Sequence, residues 1–199
     1  MKRIIIIAAI LLGASTYSVK AQNLLDALKG VASAAIEQVA GGKLTAVAMI
    51  GTWQYNQPGI KLSSDDTISE LAASAVTSSI QAKLDTYYQK VGIKSGTCSF
   101  TFNQDGTFSS TFGKKTASGT YTFDTENSML MLQYTTGRLK LGTIPAYAYM
   151  NGDKLQIVFP VDKLVNLLVS LGSKVNSLAP LTALLQKYDS VKIGFEFSK

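Results

Sequence analysis

From Thr97 to Phe123 apolar and polar residues alternate with a period of two. Within each segment one set alternates with residues that are mostly Ser and Thr: Cys98, Phe100 and Phe102, then Phe108, Ser110 and Phe112, then Gly119, Tyr121 and Phe123. Such a period places one set of side chains on each face, so the stretch reads as a meander of half-buried strands with an aromatic face and a hydroxyl face. Asn103-Gln104-Asp105-Gly106 marks a tight hairpin turn, and Gly113 to Ser118 reads as a second link.

The same reasoning extends to the rest of the chain. A first strand runs from Gly51 towards Pro58, a fifth over Met129 to Thr135, and a long sixth over Arg138 to Met150, where Gly142 and Pro145 predict a bulge or bend. A seventh covers Lys154 to Phe159 and an eighth Val191 to Phe197. Helical spacing governs three regions. Asn23 can cap a helix that ends near Ala40 before Gly41-Gly42. Ser63 to Asp66 can cap a second, whose stripe includes Ile68, Leu71, Ile80, Leu84, Tyr88 and Val91. A third begins at Asp162 with Leu164, Leu167, Leu168, Leu171 and Val175, and Gly172 and Pro180 separate it from a short turn of helix over Leu181, Leu184 and Leu185. The expected class is mainly β with helices (α+β). Eight antiparallel strands closed on themselves leave no exposed edge, with helical insertions between strands 1–2 and 7–8 and a helix at the N-terminus.

Composition changes this picture at the N-terminus. Met1-Lys2-Arg3, the apolar run Ile4 to Leu12 and Val19-Lys20-Ala21 form a secretory leader with cleavage after Ala21. The run is far shorter than the ~20 residues of a membrane span, so no transmembrane segment is expected after cleavage. No cysteine follows it, which argues against a lipid anchor. Residues 1–21 are thus assigned as signal peptide and 22–199 as a single domain, exported to the periplasm, secreted or associated with the outer membrane. The leader carries Lys2, Arg3 and Lys20, so the net charge of +6 falls to +3 without it. That mild charge excludes a nucleic-acid footprint.

Catalytic chemistry is sparse. The chain has no histidine and one cysteine, which removes Ser-His-Asp and Cys-His sites and thiolate metal clusters. Cys98 reads as a small buried hydrophobe. Asp65 and Asp66 read as helix caps and Asp124 and Glu126 as turn residues; Asn103-x-Asp105-Gly106 lacks the later ligands of a calcium loop. Lys114-Lys115 reads as a solvated link. No enzyme, cofactor or metal is expected.

Gly51-Thr52-Trp53 at the head of the first strand, the Phe102-x-x-Asp105-Gly106-x-Phe108 hairpin and the order of elements resemble an exported, lipocalin-like domain family of Bacteroidetes. The resemblance implies an eight-stranded lipocalin-like barrel with Trp53 packed across its closed end. It departs in placing helices between strands. The final strand also lacks the Arg that would stack on the Trp and offers only Lys192. The interior expected from the strands contains Phe100, Phe102, Phe108, Phe112, Tyr121, Phe123, Tyr134 and Tyr147, joined by Phe195 and Phe197. Such a wall either surrounds a small apolar ligand (a lipid, fatty acid, sterol or bile acid) or packs solid, as in a cell-envelope structural or protein-interaction module. The identity of a protein partner is left open by the sequence.

Overall fold

A computed structural model describes residues 43–61, 70–137, 141–173 and 191–199, with positions 179 and 183, all within the compact unit Ala32–Lys199. The leader, the helix expected over Asn23 to Ala40, the caps at Ser63 to Asp66, the start of the sixth strand at Arg138 and the short helix at Leu181 to Leu185 lie outside these residues.

Eight antiparallel strands form one closed ring in sequence order: β1 (Gly51–Lys61), β2 (Cys98–Phe102), β3 (Thr107–Phe112), β4 (Lys115–Asp124), β5 (Met129–Gly137), β6 (Thr143–Asn151), β7 (Lys154–Phe159) and β8 (Lys192–Ser198). Three helices accompany them: α1 (Lys43–Ala48), α2 (Glu70–Lys90) and α3 (Val161–Leu171). Their order matches the sequence reading, with α2 between β1 and β2 and α3 between β7 and β8. The short α1 was not expected; it follows directly on Gly41-Gly42 and packs against β6.

β1 joins both ends of the sheet. Its first half pairs with β2 from Gly51↔Phe102 to Gln54↔Ser99, and its second half pairs with β8 down to Lys61↔Lys192. A bulge between Tyr55 and Gln57 separates the two ladders and turns the strand from one neighbour to the other. Pro58 falls where the β2 ladder has ended, so its missing N–H faces no second strand. The Gln81 amide of α2 donates to the Pro58 carbonyl at 3.0 Å and covers that edge.

Three boundaries differ from expectation. β4 starts at Lys115, so the second link is only Gly113-Lys114. Thr116 and Ser118 are strand residues paired with Thr111 and Ser109, while Ala117 keeps the inward parity. β5 continues to Gly137 and β6 starts at Thr143. Finally, Pro145 makes no bulge: the register is unbroken from Met129↔Tyr147 to Gln133↔Thr143. It precedes the first β6–β7 pair, Tyr147↔Val158, and therefore has one neighbouring strand to satisfy.

The core lies within the ring and under the helices. Phe100, Phe102, Phe108, Phe112, Phe195 and Phe197 are buried, as are Ile80, Leu84 and Tyr88 of α2 and Leu164, Leu167 and Leu168 of α3. Burying a side chain of this size stabilises by about 1.5–3 kcal/mol, so the aromatic face of the meander favours a sheet curled around it.

Candidate functional site

Two ends and one interior make up the candidate site. At one end, β1 begins, β2 ends, β7 begins and β8 ends. Trp53 lies there, 1% exposed, and its Nε1–H donates to the Met49 carbonyl at 2.7 Å. Met49 is held in turn by its own N–H to the Thr45 carbonyl at 2.9 Å. Lys199 Nζ stands 4.9 Å above the indole ring. The cation over the tryptophan is therefore Lys199, just beyond β8. Lys192 lies at the opposite end of that strand, 4.3 Å above the Tyr147 ring.

Tyr147 accordingly leaves the list of interior residues. Ile144, Ala146, Ala148 and Met150 are the buried members of β6, and Tyr147, of opposite parity, is half-buried on the outer face.

The other seven expected residues share the inward parity. Phe100 lies at the centre, its ring centroid 5.7 Å from Phe102, 6.2 Å from Phe108, 5.7 Å from Phe112 and 5.5 Å from Phe197. Phe102 meets Tyr121 at 5.1 Å and Phe108 meets Tyr134 at 4.9 Å, both edge-on. Tyr121 and Phe123 are half-buried beside Leu132 and Leu130, and Tyr134 faces Gly119 across the β4–β5 ladder. Phe159 meets Phe195 at 5.9 Å. Tyr55 and Tyr88 join the same group: Tyr55 is 5.9 Å from Phe195 and 6.3 Å from Phe197, and Tyr88 is 4.9 Å from Phe195. Their inclusion was legible in part, since Tyr55 shares the parity of Trp53 and Tyr88 the stripe of Leu84.

The opposite end is covered by helices. The Tyr88 hydroxyl donates to the Gly194 carbonyl at 2.8 Å, tying α2 to β8. Gly194 lies so close to β7 that an added Cβ would come within 2.1 Å of the Ile157 carbonyl oxygen, so no other residue fits. α3 is closed at its C-terminus by Gly172 and by Lys115, whose Nζ donates to the Ser170 and Leu171 carbonyls at 3.2 and 2.9 Å. Lys115 is thus a cap for α3, whereas Lys114 stays exposed. Between the ends of α2 and α3 an open cleft of about 710 Å³ is lined by Val91, Lys94, Thr97, Phe112, Lys114 and Leu171, among others. Phe112 belongs to both the cleft and the interior ring cluster.

Burial pushes the phenols of Tyr55, Tyr88 and Tyr134 and the Cys98 thiol well above their ordinary pKa values, so all four hold their protons at neutral pH. Cys98 is fully buried, which withholds the thiolate that nucleophilic chemistry needs. Outside the ring, Glu196 is 4% exposed and was not singled out by sequence. It accepts from Gln57 at 2.9 Å, Asn56 at 3.4 Å and Gln156 at 3.1 Å, and pairs with Lys154 at 3.2 Å. The carboxylate staples β1, β7 and β8 together. In the hairpin turns, Asp105 accepts from the Thr107 hydroxyl and N–H, and Asp124 from Glu126, Asn127 and the Asn127 amide. Among the described residues no cluster of three or more metal-ligating groups occurs.

The family model of the lipocalin-like domain DUF4923 matches residues 24–199. The chain belongs to that family. The lipocalin-like domain is also similar to the crystal structure of a DUF4847 family protein from Bacteroides vulgatus ATCC 8482, with 16% identity and a TM-score of 0.38, covering 82% of this chain and 96% of that one. No curated protein matches the sequence.

Proposed function

We propose that this lipocalin-like domain is an exported, non-enzymatic binding protein that admits a small, largely apolar molecule to its interior beneath α2. One observation carries the reading: Phe112 forms part of the cleft between α2 and α3, yet its ring lies 5.7 Å from Phe100 and 6.0 Å from Phe195. Phe112 therefore touches both the aromatic interior and a wide cleft that runs over the outer-face residues Gln54, Ser99 and Thr111. α2 covers this end: Ile80, Leu84 and Tyr88 pack into the core, and the Tyr88–Gly194 and Gln81–Pro58 hydrogen bonds add about 0.5–1.5 kcal/mol each to its attachment. Native mass spectrometry of the protein purified from its own host tests the reading. A bound lipid-sized mass is the expected result, and a spectrum of bare protein after gentle isolation overturns it.

A second reading is favoured by the ring contacts themselves. Phe100 touches four other rings at 5.5–6.2 Å, as in a core packed without room for a guest. On that reading the domain is a structural or interaction module of the cell envelope. Crosslinking in the envelope that recovers one defined partner, together with bare protein in the mass spectrum, decides for it.

A further inference from the structure

Four tyrosine hydroxyls lie in or at the edge of the barrel interior, and three of them are paired. Tyr88 donates to Gly194, Tyr121 donates to the Asn103 carbonyl at 2.9 Å, and Tyr134 accepts from the Ser110 hydroxyl at 3.3 Å. The fourth, Tyr55, is 2% exposed, and its hydroxyl is the one buried side-chain polar atom without a hydrogen-bond partner among the described residues. Leaving a buried hydroxyl unpaired is unfavourable, and a phenylalanine of the same shape would avoid the penalty. The ring is held firmly, edge-on to Tyr88 at 6.2 Å and to Phe195 and Phe197, so the hydroxyl oxygen is fixed in position.

We propose that Tyr55 is the polar anchor of an interior binding site, and that its hydroxyl donates to a neutral oxygen acceptor, such as an ester or ketone carbonyl, on an otherwise apolar small molecule. The proposal rests on the binding reading above and narrows its ligand class.

The surroundings decide for a neutral group over a carboxylate. Among the described residues no lysine or arginine belongs to the buried core. After burial, the carboxylate of Asp85 on α2 is the largest influence that raises the phenol's pKa, and it disfavours a second anion. An ionised headgroup there would be desolvated without a counter-charge, which is far more costly than burying a carbonyl. Burial and Asp85 both keep the phenol protonated, so it is a permanent donor. Tyr88, in contact with Tyr55, is also the residue that ties α2 to β8, so a ligand reaching Tyr55 lies directly under the cover.

Isothermal titration of the full chain with methyl decanoate and with decanoate at pH 7 tests this, using wild type and Tyr55→Phe. The expected result is that wild type binds methyl decanoate at least tenfold more tightly than decanoate, and that Tyr55→Phe loses about tenfold for the ester only. The unliganded variant is expected to melt no lower than wild type, because no existing bond is lost. A lower melting temperature would show that the hydroxyl has a permanent partner, such as a buried water, and would overturn the proposal. Equal binding of the ester by both proteins overturns the anchor and leaves the binding reading standing. Failure of wild type to bind either probe overturns both.

Discussion

The two ends of the barrel use similar side chains to different effect. At the Trp53 end, one large ring is fixed on several sides by the Met49 carbonyl, the Lys199 ammonium and the surrounding core. These contacts join segments adjacent to or within the sheet itself, so loosening one leaves the others. At the opposite end, Tyr88 also donates to a carbonyl, but from a long helix inserted between two strands. There two polar contacts, from Gln81 and Tyr88, add to the burial of Ile80 and Leu84. Fixing within the sheet makes a wall, and fixing of one inserted helix makes a cover that can open apart from the sheet.

This contrast can be broken in graded ways. Trp53→Ala is expected to cost about 3–5 kcal/mol in urea unfolding, the range for large-to-small changes of a buried aromatic. A loss below about 1 kcal/mol would show that the Trp53 end is not the fixed one. Tyr88→Phe is expected to cost about 1 kcal/mol. Its sharper signature is faster amide exchange along α2 with unchanged exchange around Trp53; uniform acceleration would mean that α2 and the barrel open together. Lys199→Met removes the cation above the indole and is expected to cost about 0.5–1 kcal/mol, with no change in exchange at α2.

The smallest effect concerns the Asp105 turn at the Trp53 end. The Thr107 hydroxyl, then its N–H, hold the Asp105 carboxyl below the usual carboxylate range. Because the folded value is the lower one, this contribution to stability is present above the ordinary aspartate pKa of about 3.9 and is lost as pH falls through the depressed value. Thr107→Ala should move the Asp105 titration, followed by NMR, upward towards its ordinary position. An unmoved titration would assign the effect to backbone groups alone.

The ring itself was legible because its strands obey one simple constraint. Phe100, Phe102, Phe108 and Phe112 alternate with hydroxyl residues, and only a curled sheet buries all of them. Legibility failed where the constraint weakened. In β6, alanines point inward and tyrosines outward, so the assumption that aromatics face the core put Tyr147 on the wrong side; a one-residue shift of parity exchanges every face. Lys115 to Ser118 looked like a link because three of the four residues are polar, although Thr116 and Ser118 merely occupy the solvent side. Lys199 escaped notice as the partner of Trp53 because it stands beyond the strand whose basic residue was sought. The solitary hydroxyl of Tyr55 and the buried carboxylate of Glu196 have no local sequence signal, since both depend on which distant side chains arrive beside them.

The Glu196 staple also sets a timetable. It accepts from Gln57 across 139 positions of the chain, at the seam where β1 meets β8. Contacts so distant in sequence form slowly, because a long loop must close before they contribute. Hairpins such as β2–β3 can form as soon as they are synthesised, but the seam waits for β8. Until then the inner edge of β1 and the aromatic wall remain open to water and to other chains, a state in which β proteins readily aggregate. For a protein of this topology, the last strand to appear is the one that ends that exposure.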